Sequence, residues 1–259
     1  MAEQAPLLSL KQVSLSYGHG EVLKAIDLQL DHGELVALVG PNGSGKTSLL
    51  NSINGFIAAT GLIQIAGQDL QQLSSNTVAK LIASVSQHQD QQIALSVKEF
   101  VSLGLLPQLG LWQKISFQQQ GKIESYLRQF DLLDKLNTPL SELSGGQRQR
   151  AHIVKSLLQQ PRLLLLDEPN NHLDIEHQLH LLNYLKKQSF TSLISLHDLN
   201  LAAQFCDKVI ILNEGSLFDF GTPEQVLNQH NIAQVFKVNC KIDAHYQQGL
   251  AIQFSSRNP

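Results

Sequence analysis

The chain has 259 residues, 42% hydrophobic and 16% charged, a balance that suits one large α/β unit or two small ones and argues against disorder. A formal net charge of -3 excludes the basic footprint of a nucleic-acid binder. Met1 to Pro6 lacks the basic start and apolar core of a secretory signal, and no apolar run reaches the ~18–20 residues a membrane span needs. Work at a membrane would therefore require other chains to hold this one there. Cys206 and Cys240 stand far apart without a C-x-x-C pattern, which fits a reducing compartment.

Leu7 to Tyr17 alternates apolar and polar residues and reads as a strand; Ala25 to Leu30 repeats the pattern up to a turn at Asp31-His32-Gly33. Leu35 to Val39 is a continuous apolar run, as in a strand buried on both faces, followed by a glycine-rich loop and a helix from Lys46 to Ile53. From Ser96 to Gln160 the period becomes helical. Val97, Phe100, Val101 and Leu105 form one face, Ile123, Leu127 and Phe130 another, and Gln118-Gln119-Gln120 reads as a solvated helix start. Strands resume at Leu163–Leu166, Ser192–Leu196 and Val209–Leu212, with a hairpin turn at Asn213-Glu214-Gly215. Thr222-Pro223-Glu224-Gln225 opens a helix as a capping box with Pro at the first helical position. Val235 to Phe254 reads as short peripheral strands. The boundaries expected are one domain over 7–245, with a helical subdomain inserted at about 90–160, and a tail over 246–259.

Gly40-Pro41-Asn42-Gly43-Ser44-Gly45-Lys46-Thr47 matches G-x-x-x-x-G-K-[ST], with a buried strand before it and a helix after it. The glycines let successive backbone N–H groups turn toward phosphate oxygens, and the helix N-terminus adds positive potential. Lys46 supplies a point charge to the terminal phosphates and the Thr47 hydroxyl a ligand for Mg²⁺. Asp167 and Glu168 end the run Leu163–Leu166, at the strand edge where open α/β sheets bind ligands. Asp167 suits Mg²⁺ held through its water shell; Glu168 suits a general base that polarises an attacking water. Leu143-Ser144-Gly145-Gly146-Gln147, followed by Arg148-Gln149-Arg150, is a second anion-binding helix start: Ser144 can cap, Gln147 falls at the capping-box position, and two glycines admit a phosphate.

With that last string the chain resembles the ATP-binding cassette (ABC) family over nearly its whole length. The resemblance implies an α/β fold of the P-loop NTPase kind, with an inserted helical subdomain and an antiparallel β subdomain. It implies ATP and Mg²⁺ as cofactors and two chains facing head to tail. Each ATP would lie between Gly40 to Thr47 and Ser48 of one chain and Ser144, Gly145, Gly146 and Gln147 of the other. Tyr17 matches the aromatic that stacks on adenine, the alternative being a buried strand aromatic. Gln87 matches the glutamine that reaches Mg²⁺ and the attacking water, Asp174 the acid that communicates across the dimer, and His197 the histidine at the γ-phosphate.

Asn170 stands where many relatives have Thr or Ser and is expected not to touch the chemistry. His172, His177 and His180 invite a metal reading, but no cysteine or carboxylate cage joins them, and they are read as a solvated helix face. Ser195 to Ala203 and Gly221-Thr222-Pro223-Glu224 are similar to importer subunits for ferric siderophores, haem and cobalamin, whereas Gly104-Leu105-Leu106-Pro107-Gln108 is less basic than the Gly-Arg-x-Pro-His string of one importer subgroup. The resemblance implies permease partners docking near Gln87 to Leu111, an external substrate-binding protein, and a peripheral place on the cytoplasmic face of the inner membrane. Two rival readings differ in class. A DNA- or ribosome-acting relative would carry a long coiled-coil insert or a second cassette, and a non-hydrolysing regulator would lack Glu168 or His197.

Overall fold

A computed structural model describes residues 5–18, 20–86, 94–109, 113–171, 173–246 and 249–256. Period-two patterning carries the first strands. β1 (Leu8–Tyr17) and β2 (Gly20–Leu30) pair antiparallel, Leu8 opposite Leu30 and Leu10 opposite Leu28. Ile26, Leu28 and Leu30 are buried while Asp27 and Gln29 between them are exposed. β3 (Leu35–Val39) is buried along its whole length. α1 (Lys46–Ile53), β4 (Thr60–Ile65) and β5 (Gln68–Asp69) follow, then α2 (Ser75–Leu81) and β6 (Ile82–Val85). Next come α3 (Val97–Ser102), α4 (Phe117–Gln129), α5 (Gly145–Leu158), β7 (Leu163–Leu166) and α6 (Ile175–Lys186). The chain continues through β8 (Thr191–Ser195), α7 (Leu199–Phe205), β9 (Lys208–Asn213) and β10 (Ser216–Gly221). It finishes with α8 (Pro223–Val226), α9 (Gln229–Phe236), β11 (Asn239–Tyr246) and β12 (Gly249–Ser255).

The chain divides into two units, Met1–Leu73 with Leu181–Pro259, and Ser74–His180. In the first, β3 lies parallel to β8 on one side and to β9 on the other, and β10 closes back antiparallel on β9. β3 and β8 are wholly buried, as the unbroken apolar run of a central parallel strand requires. A separate antiparallel sheet runs in the order β2-β1-β4-β5. Gly215, at φ +81°, and Glu214, at φ +50°, form the tight β9–β10 turn.

The C-terminal segment differs from its sequence reading: Val235 and Phe236 close a helix, α9, and the strands begin only at Asn239. The Asn228 side chain accepts from the Asn231 N–H and starts that helix, so local capping overrides the short β-prone run. The β11–β12 hairpin is clipped to α7 by Asn200, whose amide donates to Ile252 O (3.2 Å) and accepts from Ile252 N–H (2.7 Å).

In the second unit β6 and β7 run parallel, Ile82 opposite Leu163 and Val85 opposite Leu166. Val97, Phe100, Val101, Ile123 and Leu127 are buried with Ile153, Val154 and Leu157 of α5. Each such side chain contributes about 1.5–3 kcal/mol over an exposed one, before ordering costs. Capping boxes start α3 (Ser96 with Glu99), α4 (Ser116 with Gln119) and α5 (Ser144 with Gln147). Gly104, in a 3-10 segment (Leu103–Gln108), touches the backbone of α5: a Cβ there would lie 2.1 Å from Lys155 O. Among the described residues no helix is long and apolar enough to cross a membrane.

Candidate nucleotide site

The chain leaves β3 at Gly40, where a Cβ would fall 2.2 Å from Leu212 O and 2.7 Å from Ser44 Oγ. Gly43 (φ +79°) and Gly45 (φ +102°) take left-handed conformations that a side chain disfavours. Gly45 caps α1 with no side-chain acceptor, at the end of the helix whose dipole favours an anion. The loop is braced from behind: Gly215 N–H donates to Ser44 O at 3.1 Å and Lys24 N–H to Gly215 O at 2.9 Å. Lys46 is buried (6% exposed), and its Nζ donates to Gly40 O (2.9 Å) and Pro41 O (3.2 Å), arching over its own loop. Ser44 Oγ is buried and makes no hydrogen bond among the described residues. An orphaned hydroxyl in a glycine cradle, beside a lysine and under a helix N-terminus, fits a polyphosphate. Pro41 is half-buried and Asn42 exposed on the rim; Thr47 is exposed, and Ser48 is half-buried with its carbonyl accepting from Ser52 Oγ (2.9 Å).

His197 lies one residue beyond Leu196, whose N–H donates to Leu38 O at 3.1 Å. It is exposed at the same carboxyl edge of the parallel strands that β3 feeds. Asp198, next in sequence, caps α7 through the N–H groups of Asn200 and Leu201. Tyr17 ends β1 with 51% of its surface exposed, which rules out the buried-aromatic alternative.

In the second unit Asp167 is buried at the end of β7, its N–H bonded to Val85 O at 2.9 Å. Glu168 is half-buried with φ +48°, a left-handed conformation that costs a non-glycine residue roughly 1–3 kcal/mol. Its carboxylate accepts from Asn171 Nδ2 at 2.8 Å, a partner that sequence reasoning missed. Asn170 turns its Oδ1 inward, without a hydrogen bond among the described residues. Gln87 lies outside the described residues, as do 88–93 and 110–112 of the expected docking stretch.

Ser144 accepts from Gln147 N–H (3.3 Å), and Gln147 Oε1 accepts from Ser144 N–H (3.0 Å). Ser144 and Gly145 are exposed. Ser144 to Gln147 share a hollow of about 420 Å³ with Arg150, Leu173, Asp174 and His177. Here the reading of a solvated histidine face needs correction. His177 is only 23% exposed because its ring is wedged between Arg150 and Asp174. His180 is exposed and meets Phe130 edge-on at 5.5 Å, and His172 lies outside the described residues. Among the described residues no cluster of His, Cys, Asp or Glu suits a metal.

A central parallel strand feeding a glycine-lysine loop into a helix, with an acidic pair ending another parallel strand, defines a P-loop nucleotide-binding ATPase. The sequence profile of the family described as ABC transporter matches residues 23–171. The chain belongs to that family, and so binds nucleotide and couples ATP hydrolysis to transport. It is 32% identical to the achromobactin transport ATP-binding protein of Dickeya dadantii, covering 97% of this chain and 96% of that one. It is 36% identical to the hemin import ATP-binding protein of Shewanella denitrificans, over 89% and 93% of the two chains. A solved ATP-binding subunit of an ABC transporter superposes with a TM-score of 0.76 at 29% identity, over 87% of this chain and 94% of the other.

Proposed function

We propose that this chain is the ATP-hydrolysing subunit of an importer for iron chelates, ferric siderophore or haem. The observation that carries the substrate class is similarity along nearly the whole chain to two relatives whose names specify achromobactin transport and hemin import. A cobalamin importer is the alternative within the same group.

In this reading two copies face head to tail beneath a pair of permease subunits, on the cytoplasmic face of the inner membrane. An external binding protein delivers the chelate. The backbone from Gly40 to Gly45 and Lys46 cradle the phosphates of one ATP, Tyr17 takes the adenine, and Ser144 to Gln147 of the second copy close over the γ-phosphate. Thr47, Asp167 and Gln87 would hold Mg²⁺, which their hard oxygen donors suit and which neutralises phosphate charge. Glu168 accepts a proton from the attacking water, oriented by its left-handed backbone and by Asn171. His197 fixes the γ-phosphate from the neighbouring strand end.

Glu168→Gln tests the catalytic half. An amide cannot accept the water's proton, so ATP stays bound while turnover falls by about 10²–10⁴; hydrolysis at the parental rate would remove Glu168 from the role. Removing the subunit from its host tests the substrate half. Uptake of ferric siderophore or haemin should stop while cobalamin uptake persists, and the opposite result moves the assignment to cobalamin.

A further inference from the structure

His177 falls outside every role assigned above, yet it has close partners on both sides. Its Nε2 lies 2.7 Å from Arg150 Nη1, and its Nδ1 lies 2.6 Å from Asp174 Oδ1. A guanidinium can only donate, so Nε2 must accept. The ring is then the neutral tautomer with its hydrogen on Nδ1, which donates to Asp174. Arg150 is itself fixed. It is 8% exposed, its Nη1 also donates to Phe130 O at 2.9 Å, and the Asp131 carboxylate lies 3.8 Å away. Desolvation lowers the Arg150 pKa, and the carboxylates of Asp131, Asp174 and Asp134 counter that effect.

At the other end, Asp174 Oδ1 accepts twice, from the His177 ring and from the His177 N–H at 3.0 Å. These two bonds, the backbone one first, hold its carboxyl below the usual carboxylate range. Asp174 is nonetheless 67% exposed and lines the same hollow as Ser144 to Gln147. The arrangement is a relay from α5, whose first turn carries those residues, to the loop carrying Asp174.

We propose that His177 is a positioning residue: with its tautomer set by Arg150, it fixes the Asp174 carboxylate in register with the Ser144–Gln147 helix start, so that one rigid surface meets the second copy. The proposal rests on the head-to-tail reading above. Asp174 would otherwise be free to rotate about its side-chain bonds, and ordering it at the moment of association would slow closure.

Two substitutions split the ring into its halves. His177→Asn places an amide N–H where Nδ1 stands and keeps the donor to Asp174. His177→Gln places its amide near Nε2, keeping a partner for Arg150 but leaving Asp174 without the ring's hydrogen bond. Full-length chains are compared for kcat and KM of MgATP hydrolysis, melting temperature, and ATP-driven dimerisation in a Glu168→Gln background.

His177→Ala and His177→Gln should lower kcat about tenfold with KM within about twofold, and weaken dimerisation. His177→Asn should stay within about threefold of the parent in kcat, at a melting temperature matching that of the Gln variant. Equal loss in the Asn and Gln variants, loss that tracks melting temperature, or full activity in the Ala variant overturns the proposal. If the Glu168→Gln chain with intact His177 stays monomeric in ATP, the head-to-tail reading falls and takes the proposal with it. A dimer that forms normally in every His177 variant overturns the proposal alone.

Discussion

His152 lies on α5, the helix that Ser144 begins, with its ring 4.7 Å from that of Phe100 and its Nε2 buried without a hydrogen bond among the described residues. Desolvation first, then the charges of Lys155 and Arg148, lowers its pKa from the ordinary 6.5 to about 4. The folded chain therefore keeps this imidazole neutral at a pH where the unfolded chain protonates it. Between about pH 6.5 and 4 the unfolded state binds more protons, so stability is intact above that window and is lost as pH falls through it. At about 1.4 kcal/mol per pH unit, the 2.5-unit gap amounts to roughly 3 kcal/mol in full, of which about 2 kcal/mol is lost between pH 7.5 and 5. Urea unfolding at those two pH values, for the parent and for His152→Leu, isolates this contribution. Any packing change in the variant is common to both pH values and cancels in the difference. The loss on acidification should shrink by about 2 kcal/mol in the variant. An unchanged pH dependence would show that burial does not hold His152 neutral.

Lys46→Ala should weaken ATP affinity itself, measured by equilibrium binding of a fluorescent ATP analogue; unchanged affinity would contradict the cradle. Gly104→Ala drives a methyl to 2.1 Å from Lys155 O, and the resulting separation from α5 should cost about 1–3 kcal/mol in denaturant unfolding. Asn200→Ala removes both bonds to Ile252 and should speed hydrogen exchange at the Ile252 amide by about tenfold while α7 stays protected.

The parts of the fold legible in sequence were those with one dominant local cause. Leu35–Val39 and Lys46–Ile53 stand where the apolar run and the loop glycines place them, because burial on both faces and left-handed turns leave no competing arrangement. Thr222-Pro223-Glu224-Gln225 opens α8 for an equally local reason. α9 was hidden because Val235-Phe236 favours a strand by composition, and only the cap at Asn228 reveals the helix. Arg150 and His177 are 27 residues apart, and no spacing rule signals a contact made by tertiary packing. Asn171, three residues after Glu168, was within reach of reasoning, since a side-chain amide in a tight turn often bonds back to its start.

The backing of the phosphate loop has a consequence for nucleotide affinity. Gly40 meets Leu212 O of β9, Gly45 meets Val22 O of β2, and Gly215 in the β9–β10 turn meets Val22 O, so two strands and a turn cast the mould into which the loop is pressed. A cast loop surrenders little freedom when a nucleotide arrives, and that saving appears directly as tighter binding. The turn between β9 and β10 is thus a remote dial on affinity: a residue there that loosens Gly215 should weaken ATP without touching a phosphate.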